Sequence, residues 1–207
     1  MKDLRIAIVG AGIGGLTAAL AMQRAGYKVT VHEQASELGE VGAGLSLSPS
    51  AAHALRYLGL GPALDAAAYL PEDQAVRHYQ DGRALQWTNR GHSLLEKYGE
   101  RYYLIHRADL HDALASAVRA KDRQAIQLER RCIGVTQSDR QARVEFEGGA
   151  TVTADVVIGA DGSPINAPED LMVAVAKHRA GETITLQVVR QGQIGTVRVK
   201  LGRPPEP

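Results

Sequence analysis

Cysteine, net charge and long apolar runs are all scarce in this sequence, and each shortage closes off a class of function. Cys132 is the only cysteine in 207 residues, so the chain can form neither a disulfide with itself nor a thiolate metal cluster. Its neighbours Arg131 and Ile133 make it read as a strand residue rather than a nucleophile. Lys and Arg number 24 against 23 Asp and Glu, a formal net charge of +1, which gives no electrostatic reason to expect nucleic acid or an anionic membrane as partner. The apolar stretch after Met1 is broken by glycines well short of a membrane span, so a cytoplasmic protein is expected. His32, His53, His106, His111 and His178 are scattered without acidic partners at ligand spacing, and no metal site is expected. The length suits one sizeable domain, alone or with a small appendage.

What is present begins at residue 6. Ile6-Ala7-Ile8-Val9 is an apolar run of the kind that fills a parallel strand covered on both faces. Gly10-Ala11-Gly12-Ile13-Gly14-Gly15 follows directly, then helix-compatible residues to Gln23, a stop at Gly26, and a second strand from Lys28 to Glu33. In such a unit Gly10 permits the tight turn, Gly12 lets a pyrophosphate approach the backbone, and Gly15 lets the helix sit close to the sheet. The N–H groups at the helix start, around Ile13 and Gly14, then face the phosphates. Glu33, at the tip of the second strand, can accept hydrogen bonds from ribose hydroxyls and would repel a 2′-phosphate. Glycine-rich turns serve many folds, but this strand, turn, helix and acidic strand end together point to a nucleotide.

Further along, Gly42-Ala43-Gly44 reads as a glycine-rich approach to a ligand, with helices expected near 51–58 and 63–69. A hairpin is expected around Asp81-Gly82. Tyr102 to His106 reads as a strand leading into a helix whose buried stripe includes Leu110, Leu114 and Val118. Arg107, at the start of that helix, either reaches an anionic or carbonyl-bearing cofactor or pairs with Asp109 or Asp112. Tyr103 and His106 either face a ligand or pack beside the strand. Strands are expected over 126–135, 142–147 and 151–158, the last ending in Gly159-Ala160-Asp161-Gly162, where Asp161 sits at a strand tip.

Taken together, residues 4–162 resemble the flavin-dependent aromatic-ring monooxygenases, the group of salicylate, hydroxybenzoate and hydroxynicotinate hydroxylases. The resemblance rests on Gly10, Gly12, Gly15 and Glu33, on Gly42-Ala43-Gly44, on Tyr103 to Leu110, and on Ala154 to Gly162. It implies an α/β, Rossmann-like FAD-binding fold with inserted antiparallel strands. It also implies FAD as cofactor, held at Gly10, Gly12, Ile13, Gly14, Gly15, Glu33, Arg107 and Asp161, with NADH or NADPH as transient electron donor and a small aromatic substrate. Three departures stand out. After Asp161-Gly162 the chain reads Ser163-Pro164-Ile165-Asn166, where the family usually proceeds through a serine and an arginine in a short turn. Ser46 occupies the place where hydroxynicotinate-type members carry a histidine, and no catalytic base is assigned. The family's later Gly-Asp-Ala segment, substrate sheet and long C-terminal helix are not found in the sequence, so FAD binding without the complete catalytic apparatus is expected.

The closing stretch has a different character. Asn166, Pro168 and Glu169 form a helix start, Gly181 a stop, and 183–190 with 195–201 an antiparallel hairpin. Residues 155–207 resemble the second half of a PDZ domain of the HtrA protease type. This gives an expected division into an FAD-binding domain, 1–162, and a partial PDZ-like segment, 163–207. It also leaves two alternatives open: a noncatalytic interaction or scaffold protein with a peptide or subunit partner, and an artificial recombinant chain joined near Asp161-Gly162.

Overall fold

The structure is a computed structural model. It describes residues 2–39, 43–138, 141–159, 183–190 and 193–200, with backbone alone for 2–3 and for the last two stretches. In chain order the elements are β1 (Lys2–Val9), α1 (Ile13–Arg24), β2 (Tyr27–His32), β3 (Gly44–Leu47), α2 (Pro49–Tyr57), α3 (Gly61–Ala67), β4 (Asp73–Arg77), β5 (Ala84–Asn89) and α4 (His92–Tyr98). Then follow β6 (Tyr103–His106), α5 (Arg107–Lys121), β7 (Ile126–Gln127), β8 (Cys132–Gln137), β9 (Ala142–Phe146), β10 (Thr151–Ala154), β11 (Val156–Gly159), β12 (Thr183–Arg190) and β13 (Gln193–Lys200). The chain divides into two compact units, residues 1–161 and 162–207.

The first unit is built on a four-stranded parallel sheet in the order β11-β1-β2-β7. Strand β1 lies between β2 and β11, with Val9 opposite His32 on one side and Gly159 on the other. Alternation sends its side chains to opposite faces. Ile6 and Ile8 join the large core with Leu16 and Leu20 of α1 and Leu114 and Val118 of α5. Ala7 instead packs with Val144, Phe146 and Ala154 of the antiparallel sheet β10-β9-β8. The near-continuous apolar reading of β1 thus follows from its burial on both faces. The strand order reverses between β2 and β11, so the end of β1 marks the switch point where ligands of open α/β sheets gather.

Two expected strands prove to be broken. The stretch 126–135 splits into β7, paired with β2, and β8, paired with β9, because Glu129 adopts a left-handed φ of 56° between them. The stretch 151–158 changes sheets at Asp155. That residue donates its N–H to the Arg5 carbonyl at 2.9 Å, while its carboxylate accepts the Arg5 N–H at 2.8 Å and the Arg5 guanidinium at 3.2 Å. These hydrogen bonds hold the Asp155 carboxyl down at about 2. Strand β6 pairs with β3 in its own antiparallel ladder rather than with the parallel sheet. The hairpin around Asp81-Gly82 forms as β4 and β5, with Gly82 at φ 71°.

In the second unit β12 and β13 pair antiparallel, from Thr183 opposite Lys200 to Arg190 opposite Gln193. The hairpin expected there is present, and the helix expected before it lies outside the described residues. Among the described residues no helix is long and apolar enough to cross a membrane, and no group of three or more His, Cys, Asp or Glu is placed to hold a metal.

His32 is 3% exposed and stacks on Phe146, ring centroids 4.8 Å apart. Burial, with a smaller contribution from the Arg130 charge, pushes its pKa below the ordinary 6.5. The unfolded chain therefore binds a proton that the folded chain resists, and stability declines as pH falls below 6.5 towards the depressed folded value. Urea unfolding at about pH 7.5 and about pH 5.5 should show this loss, and His32→Leu should shrink it. An equal loss in the variant would mean that His32 is not its source.

Candidate functional site

The glycine turn sits at the C-terminal end of β1, at the switch point of the sheet. Gly10 has φ 100°, a conformation that side chains rarely adopt, and its N–H donates to the His32 carbonyl at 2.8 Å. The chain thus stays joined to β2 for one residue beyond the strand and then turns. Gly12 is the N-cap of α1, with φ −68° and ψ 178°. The first helical bond runs from the Leu16 N–H to the Gly12 carbonyl at 3.0 Å. Among the described residues no side chain caps this helix, and its first turn has no acidic residue, which leaves the leading N–H groups for an outside acceptor. Among the described residues, a Cβ built on Gly12 or Gly14 would meet nothing within 4 Å, which leaves space over the turn. Gly15, by contrast, is buried against the core, and Ile13 packs against it.

Glu33 follows β2 directly. One carboxylate oxygen accepts the Ala11 N–H at 2.7 Å and the other accepts the Ala35 N–H at 2.9 Å. Its own backbone is fixed by Gln127 and Arg130 through bonds of 2.9 and 2.7 Å. An ionised carboxylate has about four acceptor positions, so holding the turn leaves capacity for the two hydroxyls of a ribose.

Two distant motifs converge on each other, and α5 carries the second of them to this turn. Pairing of β3 with β6 sets Gly44 opposite His106, and the Arg107 N–H donates to the Ala43 carbonyl at 3.3 Å. His106 caps α5, its Nδ1 accepting the Ala108 N–H at 3.3 Å. One turn beyond Arg107, the buried His111 places Nε2 2.7 Å from the Ala11 carbonyl oxygen. Sequence reasoning gave His111 no role. The available signal was a polar residue within the buried stripe that Leu110, Leu114 and Val118 define on α5. Gly42 and Asp161 lie outside the described residues; β11 brings the chain to Gly159, beside Val9.

Tyr103 takes the packing alternative. It is 1% exposed, and its hydroxyl accepts from Arg56 at 2.6 Å and donates to Glu100 at 3.4 Å. The Arg56 guanidinium also pairs with Asp65 and, at 2.9 Å, with Glu100. Hydrogen bonds to Asp65 and Tyr103 make it still harder to deprotonate than an ordinary arginine. Ser46 is exposed on β3, opposite Leu104.

Known proteins give this geometry its context. A family model described as an FAD binding domain matches residues 3–193. The chain belongs to this FAD-binding family. It is 42% identical over 161 residues to a 3-amino-4-hydroxybenzoate 2-monooxygenase of Streptomyces cremeus, a match covering 78% of this chain and 40% of that protein. It is 34% identical over 170 residues to a 6-hydroxynicotinate 3-monooxygenase of Bordetella bronchiseptica, covering 82% and 44%. Among solved structures, Klebsiella pneumoniae HpxO complexed with FAD and uric acid superposes with a TM-score of 0.70 at 26% identity, covering 78% of this chain and 40% of that one. The chain therefore spans about two fifths of the length of these relatives. The family match spans residues 3–193. None of these matches supports a PDZ-like part.

Removing the Glu33 carboxylate leaves the Ala11 N–H without its acceptor. Glu33→Ala should lower stability by about 1–3 kcal/mol in the absence of any nucleotide, measured by urea unfolding. A loss below about 0.5 kcal/mol would show that water replaces the carboxylate at no cost.

Proposed function

We propose that this chain forms the FAD-holding part of an NAD(P)H-dependent aromatic-ring monooxygenase. The observation that carries this reading is the open, uncapped turn at the switch point. The residues fit the cofactor's adenosine diphosphate half: space over Gly12 and Gly14, free N–H donors at the start of α1, and an acidic group at the tip of β2. In this reading the backbone of Gly10, Gly12, Ile13, Gly14 and Gly15 holds the diphosphate, and Glu33 holds the adenosine ribose. Arg107, at the head of α5, and Asp161, after β11, contact the cofactor further towards the flavin. Bound FAD would supply the redox chemistry with oxygen, using NADH or NADPH as reductant. The protein's part is to orient the cofactor and keep water from its reactive end. The relatives' names support a small aromatic acid or hydroxylated heteroaromatic ring as substrate.

The scaffold alternative has only the β12–β13 hairpin in its favour, a motif common to many folds, and we do not adopt it.

Titration of the full chain with FAD, followed by flavin absorbance and fluorescence, should show saturable binding. Gly12→Ala separates a cofactor turn from a structural one. The φ of Gly12 suits alanine and the added methyl meets nothing, so stability without FAD should change by less than about 1 kcal/mol. FAD affinity should nevertheless fall by about tenfold or more, since the methyl takes the diphosphate's place. Unchanged FAD affinity in Gly12→Ala, or no saturable binding by the unsubstituted chain, would overturn the reading.

A further inference from the structure

His111 has no role in the reading above, yet its position is hard to explain by packing. It lies on the buried face of α5, 3% exposed, where leucine or alanine would fill the space without a polar cost. One ring nitrogen, Nε2, is 2.7 Å from the Ala11 carbonyl oxygen. A carbonyl brings no hydrogen, so Nε2 must carry the proton. The other, Nδ1, is buried and has no partner among the described residues. The geometry thus makes Nε2 the donor of this bond.

The consequence follows from peptide geometry. The Ala11 carbonyl and the Gly12 N–H belong to one trans peptide plane and point in opposite directions. Fixing the carbonyl towards α5 fixes the Gly12 N–H away from it. Glu33 meanwhile pins the preceding plane through the Ala11 N–H at 2.7 Å. Two consecutive peptide planes are thus set by side chains from β2's end and from α5, immediately before the first residue of α1.

We propose that His111 is a positioning residue for the cofactor's diphosphate, aiming the Gly12 N–H at it by donating to the Ala11 carbonyl. The inference rests on the FAD-binding reading and adds to it a residue distant in sequence. His111 touches no cofactor atom itself. It acts by keeping one peptide from rotating, so that the donor is already oriented when the anion arrives. Arg107 lies one helical turn before it on α5, which makes that helix a common support for the diphosphate turn and for the contact proposed at its N-terminal end.

The test compares His111→Leu, which keeps the bulk and loses the donor, with His111→Gln, which keeps a donor on its side-chain amide. Both are titrated with FAD and with ADP, a probe that carries the diphosphate without the flavin. His111→Leu should weaken FAD and ADP in the same ratio, by about tenfold, and His111→Gln should stay within about threefold of the unsubstituted chain. A purely structural histidine would lower the melting temperature of both variants and leave the affinity of the folded fraction unchanged, which would overturn the proposal. A second measurement needs no variant. In nitrogen-15 NMR spectra of the unsubstituted chain, the His111 ring should be protonated at Nε2, and the Gly12 amide should shift on adding ADP. The opposite tautomer, or a Gly12 amide that does not move, would also overturn it. If the unsubstituted chain binds neither FAD nor ADP, the FAD reading itself fails. If it binds both and His111→Leu binds them equally well, only the role of His111 is lost.

Discussion

The site depends on the backbone of Ala11 being held from two sides. Its N–H is taken by Glu33 and its carbonyl by His111, both at 2.7 Å. Each bond contributes on the order of 1 kcal/mol net, and more is lost when a buried partner is left unsatisfied. Their structural effect exceeds those figures, because rotation of one peptide in the turn would redirect the donors that follow it. The bonds also tie three elements together at one point: β1, which ends one residue before Gly10, β2, which delivers Glu33, and α5, which delivers His111.

The surrounding fold keeps that point at the C-terminal end of a central strand. Ile6 and Ile8 bind β1 to the helices on one face, while Ala7 binds it to the antiparallel sheet on the other. Among the described residues nothing lies within 4 Å of a side chain begun at Gly12 or Gly14. The half-buried Arg56, bonded to the buried Glu100 and Tyr103, braces β6, and so steadies the N-terminal end of α5 without entering the site.

Features coded by consecutive residues were legible in the sequence. The apolar run, the glycine spacing and Glu33 sufficed for β1, α1 and β2, because each declares itself within a few positions. The breaks at Glu129 and Asp155 were not legible. Asp155 turns the chain through bonds to Arg5, 150 positions away, and a β-compatible stretch carries no mark of which sheet each half joins. Helix α4 gave no periodic signal, since it buries no residue. His111 was passed over for the same reason as Asp155: its partner lies 100 residues earlier, and one histidine in an apolar stripe does not name the group it bonds. For Tyr103 and His106 the sequence leaves open whether each faces a ligand or packs beside the strand. Tyr103 turned out to anchor a buried network and His106 to cap a helix.

The proposed cofactor site and the proposed role of His111 make one physical claim: a diphosphate rests on backbone donors whose directions are set before it binds. A crystal structure of the full chain grown with FAD tests this most directly. The account predicts diphosphate oxygens within hydrogen-bonding distance of the N–H groups from Gly12 into the first turn of α1, with Glu33 and His111 still bonded to Ala11. A diphosphate bound elsewhere, or a turn in which both side chains have left Ala11 to admit it, would contradict the account.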